Sequence, residues 1–242
     1  DLAGGACYFL WDRDYSGICE VVNYNKEGSS TTQRFLDEYE TFIRQNLAVE
    51  IVNKVVSQNK EFLSNRVSAR KPFGLPSNYV PLGEGVPCQF IQRIGVKYAS
   101  KSDISDAKGY LNKWKFLIPA APIAGQTDFS KPVRFFYDGN TRISKPGECC
   151  TESWLVAGAF DTDEEAVSYK SYFFTKVVRF LLLQTVVSQH ISTKSFCFVP
   201  ELGKYAGEYT DKILLKKWNI TDEEWAYIDT RISDIGGDTD AD

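Results

Sequence analysis

Few residues of this chain have the types and spacing that catalysis needs. A magnesium nuclease needs an acidic residue and then an Asp/Glu-x-Lys triplet on a neighbouring strand, so that carboxylates bind the metal while the lysine orients water. Asp106-Ala107-Lys108 supplies the triplet, but only Asp103 comes just before it, which is a poor geometry. His190 is the single histidine and has no matching acid and nucleophile, which argues against a hydrolytic triad. We therefore predict no catalytic residue in this chain.

The cysteine spacing predicts neither a metal site nor a disulfide framework. A structural zinc site needs paired thiolates at C-x-x-C spacing, and the six cysteines are scattered without it. Two of them are adjacent, so they would point to opposite faces of any strand. We interpret most of the set as small buried hydrophobes in a reducing cell. The set is Cys7, Cys19, Cys88, Cys149, Cys150 and Cys197.

Composition predicts a folded cytoplasmic protein. The 242 residues are 43% hydrophobic and 14% aromatic, which is enough for one sizeable core. No run approaches the roughly 18 apolar residues of a membrane span, and the start lacks the basic-then-apolar layout of a secretion signal. Methionine is absent, even at position 1, which indicates a fragment of a longer protein. We expect a cytoplasmic location and no membrane partner.

The charges are segregated along the chain, although the net charge is only −4. Residues 54–145 hold 15 basic and 6 acidic groups, whereas residues 146–169 hold 6 acidic groups and no basic one. Residues 170–200 hold 4 basic groups and no acidic one. Such a block is typical of a surface that faces phosphates, and equally of a solvated lysine-rich face. Charge alone leaves both interpretations open.

Hydrophobic patterns predict an α+β fold, with short-stranded sheets, one long buried helix and a small C-terminal helical tail. Residues 6–11 and 18–24 are predicted to form a hairpin across a turn at residues 12–17, followed by a polar linker over residues 25–32. Apolar positions from Leu47 recur at helical spacing, which predicts a helix of about three turns that ends near residues 58–60.

The region from residue 62 to residue 146 is predicted to consist of short strands and loops that carry most of the positive charge. Arg70 and Lys71 come before a Pro and a Gly that fix the backbone there. If Trp114 faces inward from a strand, Lys113 and Lys115 face outward, side by side. Side chains of this kind contact DNA phosphates or remain simply solvated.

Residues 161–189 give the clearest helical pattern. Asp161 or Thr162 can cap the helix, and acidic residues in the first turn favour the helix dipole. The helix is apolar nearly all round, which predicts burial, so Arg179 on its narrow polar strip and Lys176 at the border of that strip each need a partner. A carboxylate of the acidic segment and a DNA phosphate are both open as that partner.

Six segments of the chain resemble the C-terminal part of adenine-specific DNA methyltransferases from type II (IIG-like) restriction-modification enzymes, which contains a TaqI-like specificity domain. The segments cover most of the chain, in the family's order. They are GGACYFLWDRDYSGIC (4–19), RKPFGLPSNY (70–79), NKWKFLIP (112–119), CCTESWLVAGAF (149–160), TKVVRFLLLQTVVSQHISTKSFCFVP (175–200) and TDKILLKKWNITDEEWAYI (210–228).

The resemblance implies a target-recognition domain without the catalytic core. The family's Asn/Asp-Pro-Pro-aromatic tetrapeptide is absent, so we expect the fragment itself to have no methyltransferase activity and no cofactor. S-adenosylmethionine, and magnesium if a nuclease is fused, would belong to the parent enzyme. Implied segments are a remnant methyltransferase hairpin (1–27), a linker and connecting helix (28–60), the DNA target-recognition domain (61–200) and an acidic helical tail (201–242). Implied partners are double-stranded DNA and the parent chain's methyltransferase domain.

Ten residues are predicted to contact DNA. The loop after the long helix is the strongest candidate, because glutamine can form two hydrogen bonds with adenine in the major groove. His190 in this loop has a purely structural alternative, which is to cap the C-terminus of the helix. The predicted contacts are Arg70, Lys71, Lys113, Lys115, Lys176, Arg179, Gln189, His190, Ser192 and Lys194.

Two other functions stay open. The first is a protein-interaction module that docks on the catalytic domain, whose basic surface has no salt-sensitive affinity for DNA. The second is a degenerate magnesium nuclease, which predicts cleavage that is lost in Asp106→Ala.

Overall fold

Three small β-sheets and five α-helices form in the part of the chain that the computed structural model describes, residues 7–25, 28–91, 96–126 and 131–235. The strands are β1 (Cys19–Asn25), β2 (Gly28–Arg34), β3 (Val86–Gln89), β4 (Lys97–Ala99), β5 (Trp114–Pro119), β6 (Arg142–Ser144), β7 (Cys149–Cys150) and β8 (Trp154–Phe160). The helices are α1 (Asn46–Ser57), α2 (Asp163–Phe174), α3 (Lys176–Leu183), α4 (Asp211–Trp218) and α5 (Asp222–Arg231). None of these helices combines the length and apolar character that crossing a membrane requires. The predicted α+β class is confirmed.

The first sheet differs from the predicted hairpin. β1 pairs antiparallel with β2, so residues 28–32, predicted as part of a linker, belong to a strand. The described residues 7–11 form no strand, and residue 6 lies outside the described residues. The predicted pairing of residues 6–11 with residues 18–24 is therefore wrong.

Hydrogen bonds from α1 explain how a strand as polar as β2 forms. The side-chain amide of Asn46 donates to the carbonyl of Val21 on β1 (2.8 Å) and to the carbonyl of Ser30 on β2 (3.0 Å). Arg34, buried at the end of β2, donates to the carbonyl of Ile43 (2.8 Å). Because these contacts are polar, β2 shows no alternation of apolar and polar residues. The hydrophobic pattern of the sequence therefore did not predict a strand there.

The central sheet has the strand order β6-β5-β8, is antiparallel throughout, and is covered on both faces. Phe116 and Ile118 of β5 enter the main core, where the Phe116 ring meets the Phe173 ring of α2 at 5.4 Å between centroids. Leu117 points to the other face, into a second cluster that contains Phe73. The second cluster also receives residues of the small sheet β4-β3-β7.

The predicted long helix over residues 161–189 is two helices, because the chain turns at Thr175. Its backbone is extended there (φ −65°, ψ 145°), and its side-chain oxygen accepts a hydrogen bond from the N–H of Val178 (3.3 Å). The same hydroxyl donates to the carbonyl of Tyr172 (2.8 Å). Thr175 thus begins α3 as its N-cap, and α3 ends at Leu183, six residues earlier than predicted.

The C-terminal helices share the main core. Leu214, Trp218 and Ile228 are buried in it, and α3 packs against both α4 and α5. A parallel bridge joins Ile232 to Val133, so the segment after α5 is tied to the loop before β6. Residues 236–242 lie outside the described residues.

Replacement of the cap residue tests the turn between α2 and α3. We expect Thr175→Ala to lower the free energy of unfolding by about 1–2 kcal/mol, because the first N–H groups of α3 lose their acceptor. Urea denaturation measures this change. Thr230→Ala, on the exposed side of α5, is the matched control and should change stability by less than about 0.5 kcal/mol. Equal stability of Thr175→Ala and the wild type would show that the cap is not what sets the turn.

Candidate nucleic-acid interface

Backbone hydrogen bonds gather several loops at the end of the central sheet where β5 ends and β8 begins. Pro119 pairs with Trp154 there. The next residue, Ala120, donates its N–H to the carbonyl of Ser153 (2.9 Å) and accepts from the N–H of Ile191 (2.9 Å). The loop that follows α3 is therefore attached directly to this end of the sheet.

The same end carries the predicted basic pair. Glu152, one residue before Ser153, lies 3.2 Å from Nε of Arg70 and 3.6 Å from Nζ of Lys71 through its Oε2. The segments 70–78 and 189–194, which are more than a hundred residues apart in sequence, are thus both tied to this end of the sheet. We call this end of the sheet, with both segments, the loop face.

The polar loop of the loop face, residues 187–194, presents its side chains to solvent. Four predicted contact residues in it are exposed: Gln189, His190, Ser192 and Lys194. His190 follows α3 by several residues and does not cap it, since Gln184 occupies the C-cap position. The capping alternative for His190 is therefore wrong.

The base of the polar loop is anchored on both sides. Arg44 donates to the carbonyl of Val186 (2.9 Å) just before the loop, and the Thr185 hydroxyl donates to the carbonyl of Ser195 (2.6 Å) just after it. Within the loop, Ile191 is only 6% exposed and fills the core. The exposed residues therefore stand on a fixed base.

Glu152 is a part of the loop face that the sequence did not indicate. Its side chain is only 10% exposed, and it accepts a hydrogen bond from the N–H of Ser77 (3.1 Å). That N–H, together with the charges of Arg70 and Lys71, holds the pKa of Glu152 below its usual value. No local pattern could indicate this role, because the partners of Glu152 are distant in sequence.

Lys113 and Lys115 lie at the opposite end of β5, about 17 Å away along the strand. Lys113 is ion-paired with Asp161. Lys115 is completely buried, and its Nζ donates to the carbonyls of Lys113 (2.7 Å) and Lys145 (2.8 Å). The prediction that Lys115 faces outward is wrong, because both faces of the central sheet are covered.

Lys176 and Arg179 are buried in a polar pocket between α3 and the C-terminal segment. Arg179 is 1% exposed and donates to the carbonyls of Thr175 (3.2 Å) and Ser233 (2.8 Å). Lys176 is paired with Asp229 (2.6 Å) and Asp234 (2.7 Å). Of the two partners that the sequence left open, the carboxylate is the one found for Lys176. The prediction that these two residues contact DNA is not supported, because the helices α4 and α5 cover them.

Burial lowers the pKa values of these two cations, and nearby carboxylates raise them. Burial lowers the pKa of Arg179 to about 10, against the attraction of Asp211 and Asp234. Burial also opposes the charge of Lys176, but its hydrogen bonds to Asp229 and Asp234 outweigh this effect and raise its pKa. Both groups are charged near neutral pH and fasten the C-terminal segment to α3.

Thiols and carboxylates form no metal site in the described ranges, where no three potential ligands converge. Cys88, Cys149 and Cys150 are buried, and burial raises the pKa of the Cys150 thiol. The Asp106 carboxylate accepts hydrogen bonds from the N–H groups of Tyr110 (2.7 Å) and Leu111 (2.9 Å), so it holds a turn. No observation favours the nuclease alternative.

Comparison with known proteins shows no family for this chain. No family model and no solved structure match it. A stretch of 73 residues is 30% identical to pyridoxal 5'-phosphate synthase subunit PdxS of Mycolicibacterium smegmatis. The match covers 29% of this chain and only 23% of that protein, so it carries no functional conclusion. The resemblance to adenine methyltransferases stays a prediction.

Buried Lys115 predicts a pH dependence of stability. Burial lowers its pKa from 10.5 to about 8, so between these values the unfolded chain binds more protons than the folded one. Stability should therefore rise with pH across this window, by up to about 3 kcal/mol, relative to Lys115→Met. Urea denaturation of both proteins from about pH 7 to about pH 10.5 measures the difference. Parallel pH profiles for the wild type and Lys115→Met would contradict the prediction.

Proposed function

We propose that this chain binds double-stranded DNA as the target-recognition region of a restriction-modification adenine methyltransferase and is itself non-catalytic. One observation carries the proposal. The two segments predicted to read DNA, 70–78 and 189–194, are both tied to the same end of the central sheet, and the predicted contact residues in both are exposed. Exposed polar side chains on an anchored base are what a recognition surface needs.

The exposed residues divide into two chemical roles. Arg70, Lys71 and Lys194 supply the positive charge that holds phosphates and positions the protein on the duplex. Gln189 can form two hydrogen bonds with an adenine edge, and His190 and Ser192 offer further polar contacts with bases. Lys113, Lys115, Lys176 and Arg179 have no part in this surface.

The chemistry of the parent enzyme belongs elsewhere. Extraction of an adenine from the duplex and transfer of a methyl group require a methyltransferase domain with S-adenosylmethionine. This chain has no Pro-Pro pair with which to hold the flipped base. Its contribution is to bring the target base to that domain by binding the surrounding duplex.

Fluorescence anisotropy with duplex DNA tests the proposal. We expect binding to a pool of short random duplexes to weaken steeply as salt is raised, because released counterions drive it. Lys194→Ala should reduce the slope of log K against log salt by about 1. Lys216→Ala, an exposed lysine on α4, is the matched control and should leave the slope unchanged.

A second measurement separates base reading from charge. Duplexes selected from the pool for tight binding should lose about 1–3 kcal/mol of affinity with Gln189→Ala, whereas the unselected pool should not. Absence of binding at about 50 mM salt, both by this chain and by a chain that also carries the methyltransferase domain, would contradict the proposed function.

Docking on the methyltransferase domain is a second function that one observation favours. Residues 8–11 expose four consecutive large apolar side chains: Tyr8 (86%), Phe9 (85%), Leu10 (97%) and Trp11 (73%). An aromatic side chain can bury about 150–250 Å², so the exposed apolar area of this run is larger than the largest apolar patch of a typical monomer, about 300–600 Å². A covering partner is the physical explanation, and we infer that it is the methyltransferase domain of the parent chain.

Mixing this chain with that domain tests the docking. We expect a complex in size-exclusion chromatography that Phe9→Ser with Trp11→Ser abolishes. Val80→Ser, at an exposed apolar residue far from this run in sequence, should leave the complex intact. A complex that forms equally well with the double variant would contradict the assignment of residues 8–11 as the contact.

A further inference from the structure

Arg70 and Lys71 reach the same carboxylate oxygen although they are neighbours in sequence. On an extended chain, adjacent side chains point to opposite sides. Here Nε of Arg70 and Nζ of Lys71 both approach Oε2 of Glu152, at 3.2 Å and 3.6 Å. The backbone at Lys71 makes this possible, because its φ is 60° and the N–H of Gly74 closes a turn onto its carbonyl (3.0 Å).

The conformation of Lys71 is unfavourable for its residue type. A positive φ brings Cβ close to the backbone, and the following residue, Pro72, further restricts the residue before it. In the described part of the chain, Asn219 is the other non-glycine residue with a positive φ, and it caps α4, where asparagine in this conformation is common. Lys71 caps no helix. Its backbone is therefore strained at a position where glycine would fit better.

Glu152 is fixed more firmly than the two cations it faces. Its N–H donates to the carbonyl of Leu75 (2.9 Å), and its carboxylate accepts from the N–H of Ser77 (3.1 Å). The Arg70 side chain is 69% exposed and that of Lys71 48%, so both keep much of their surface in solvent. One buried carboxylate and two accessible cations leave the cluster with a net charge of +1.

We propose that Glu152 is a positioning residue of the loop face, which holds Arg70 and Lys71 as a pre-oriented pair for one backbone phosphate of double-stranded DNA. This inference rests on the proposed function. The side chains of free arginine and lysine lose rotamer freedom when they bind a phosphate, and a fixed carboxylate removes part of that cost in advance. The strained turn at Lys71 serves the same end, because it brings both cations to one side.

A charge-only account predicts the opposite result for Glu152. If the carboxylate merely reduces the positive charge, its neutralisation strengthens DNA binding. If it positions the pair, its neutralisation weakens binding although the protein becomes more positive. The sign of the change in affinity therefore separates the two accounts.

The experiment compares Glu152→Gln, Lys71→Gly and Asp161→Asn with the wild type by anisotropy on the same duplex pool. We expect Glu152→Gln to weaken binding about tenfold and to lower the salt slope by about 1. Asp161→Asn is the matched control, because its carboxylate pairs with Lys113 at the other end of the sheet and its loss should not weaken binding.

Lys71→Gly keeps Glu152 and relieves the backbone. We expect it to raise the melting temperature by about 2 °C and to weaken DNA binding, a combination that a merely structural turn would not give. If Glu152→Gln does not fold, wild-type affinity in Lys71→Gly still overturns the inference.

Each result has a distinct meaning. Equal or tighter binding by Glu152→Gln overturns the positioning role and leaves the proposed function intact. Wild-type affinity in Lys71→Gly also overturns the paired-cation inference. Failure to bind any duplex at low salt, both by this chain and by a chain that also carries the methyltransferase domain, overturns this inference together with the proposed function.

Discussion

Coverage of both faces of the central sheet is the constraint on which the rest of the structure depends. Phe116 and Ile118 enter one core and Leu117 enters another, so polar groups of β5 have no wet face available. Lys115 is tolerated only because two carbonyls accept its hydrogen bonds. The loop face lies at one end of this sheet, where two segments that are distant in sequence are attached.

Local patterns in the sequence predicted the elements whose residues depend on near neighbours. The apolar run Trp114–Pro119 forms β5, and the helix predicted from Leu47 forms α1. The break at Thr175 could not be predicted in the same way, because a threonine in an apolar helical pattern gives no sign of whether its hydroxyl caps a new helix. That choice depends on α4 and α5, against which α3 packs.

Charge patterns predicted where cations are in the sequence, but not which of them reach the surface. Arg179 and Lys115 count toward the basic segments, yet both are buried and satisfied by carbonyl groups. The attachment of segments 70–78 and 189–194 to the same end of the sheet likewise could not be predicted, since it depends on backbone hydrogen bonds of Ala120 and on the ion pairs of Glu152. Burial decides which charged side chains can contact a ligand, and counting charges along the sequence does not reveal burial.

The way in which the polar loop is anchored makes it interchangeable. Its attachments are backbone groups of Val186, Ile191 and Ser195, with side-chain donors that lie outside the loop, on Arg44 and Thr185. Of the side chains within the loop, that of Ile191 is buried in the core, and the Ser188 hydroxyl forms hydrogen bonds with the backbone of His190. The exposed positions Gln189, His190 and Lys194 can change at little cost to folding, so this short segment can acquire new ligands while the scaffold stays the same.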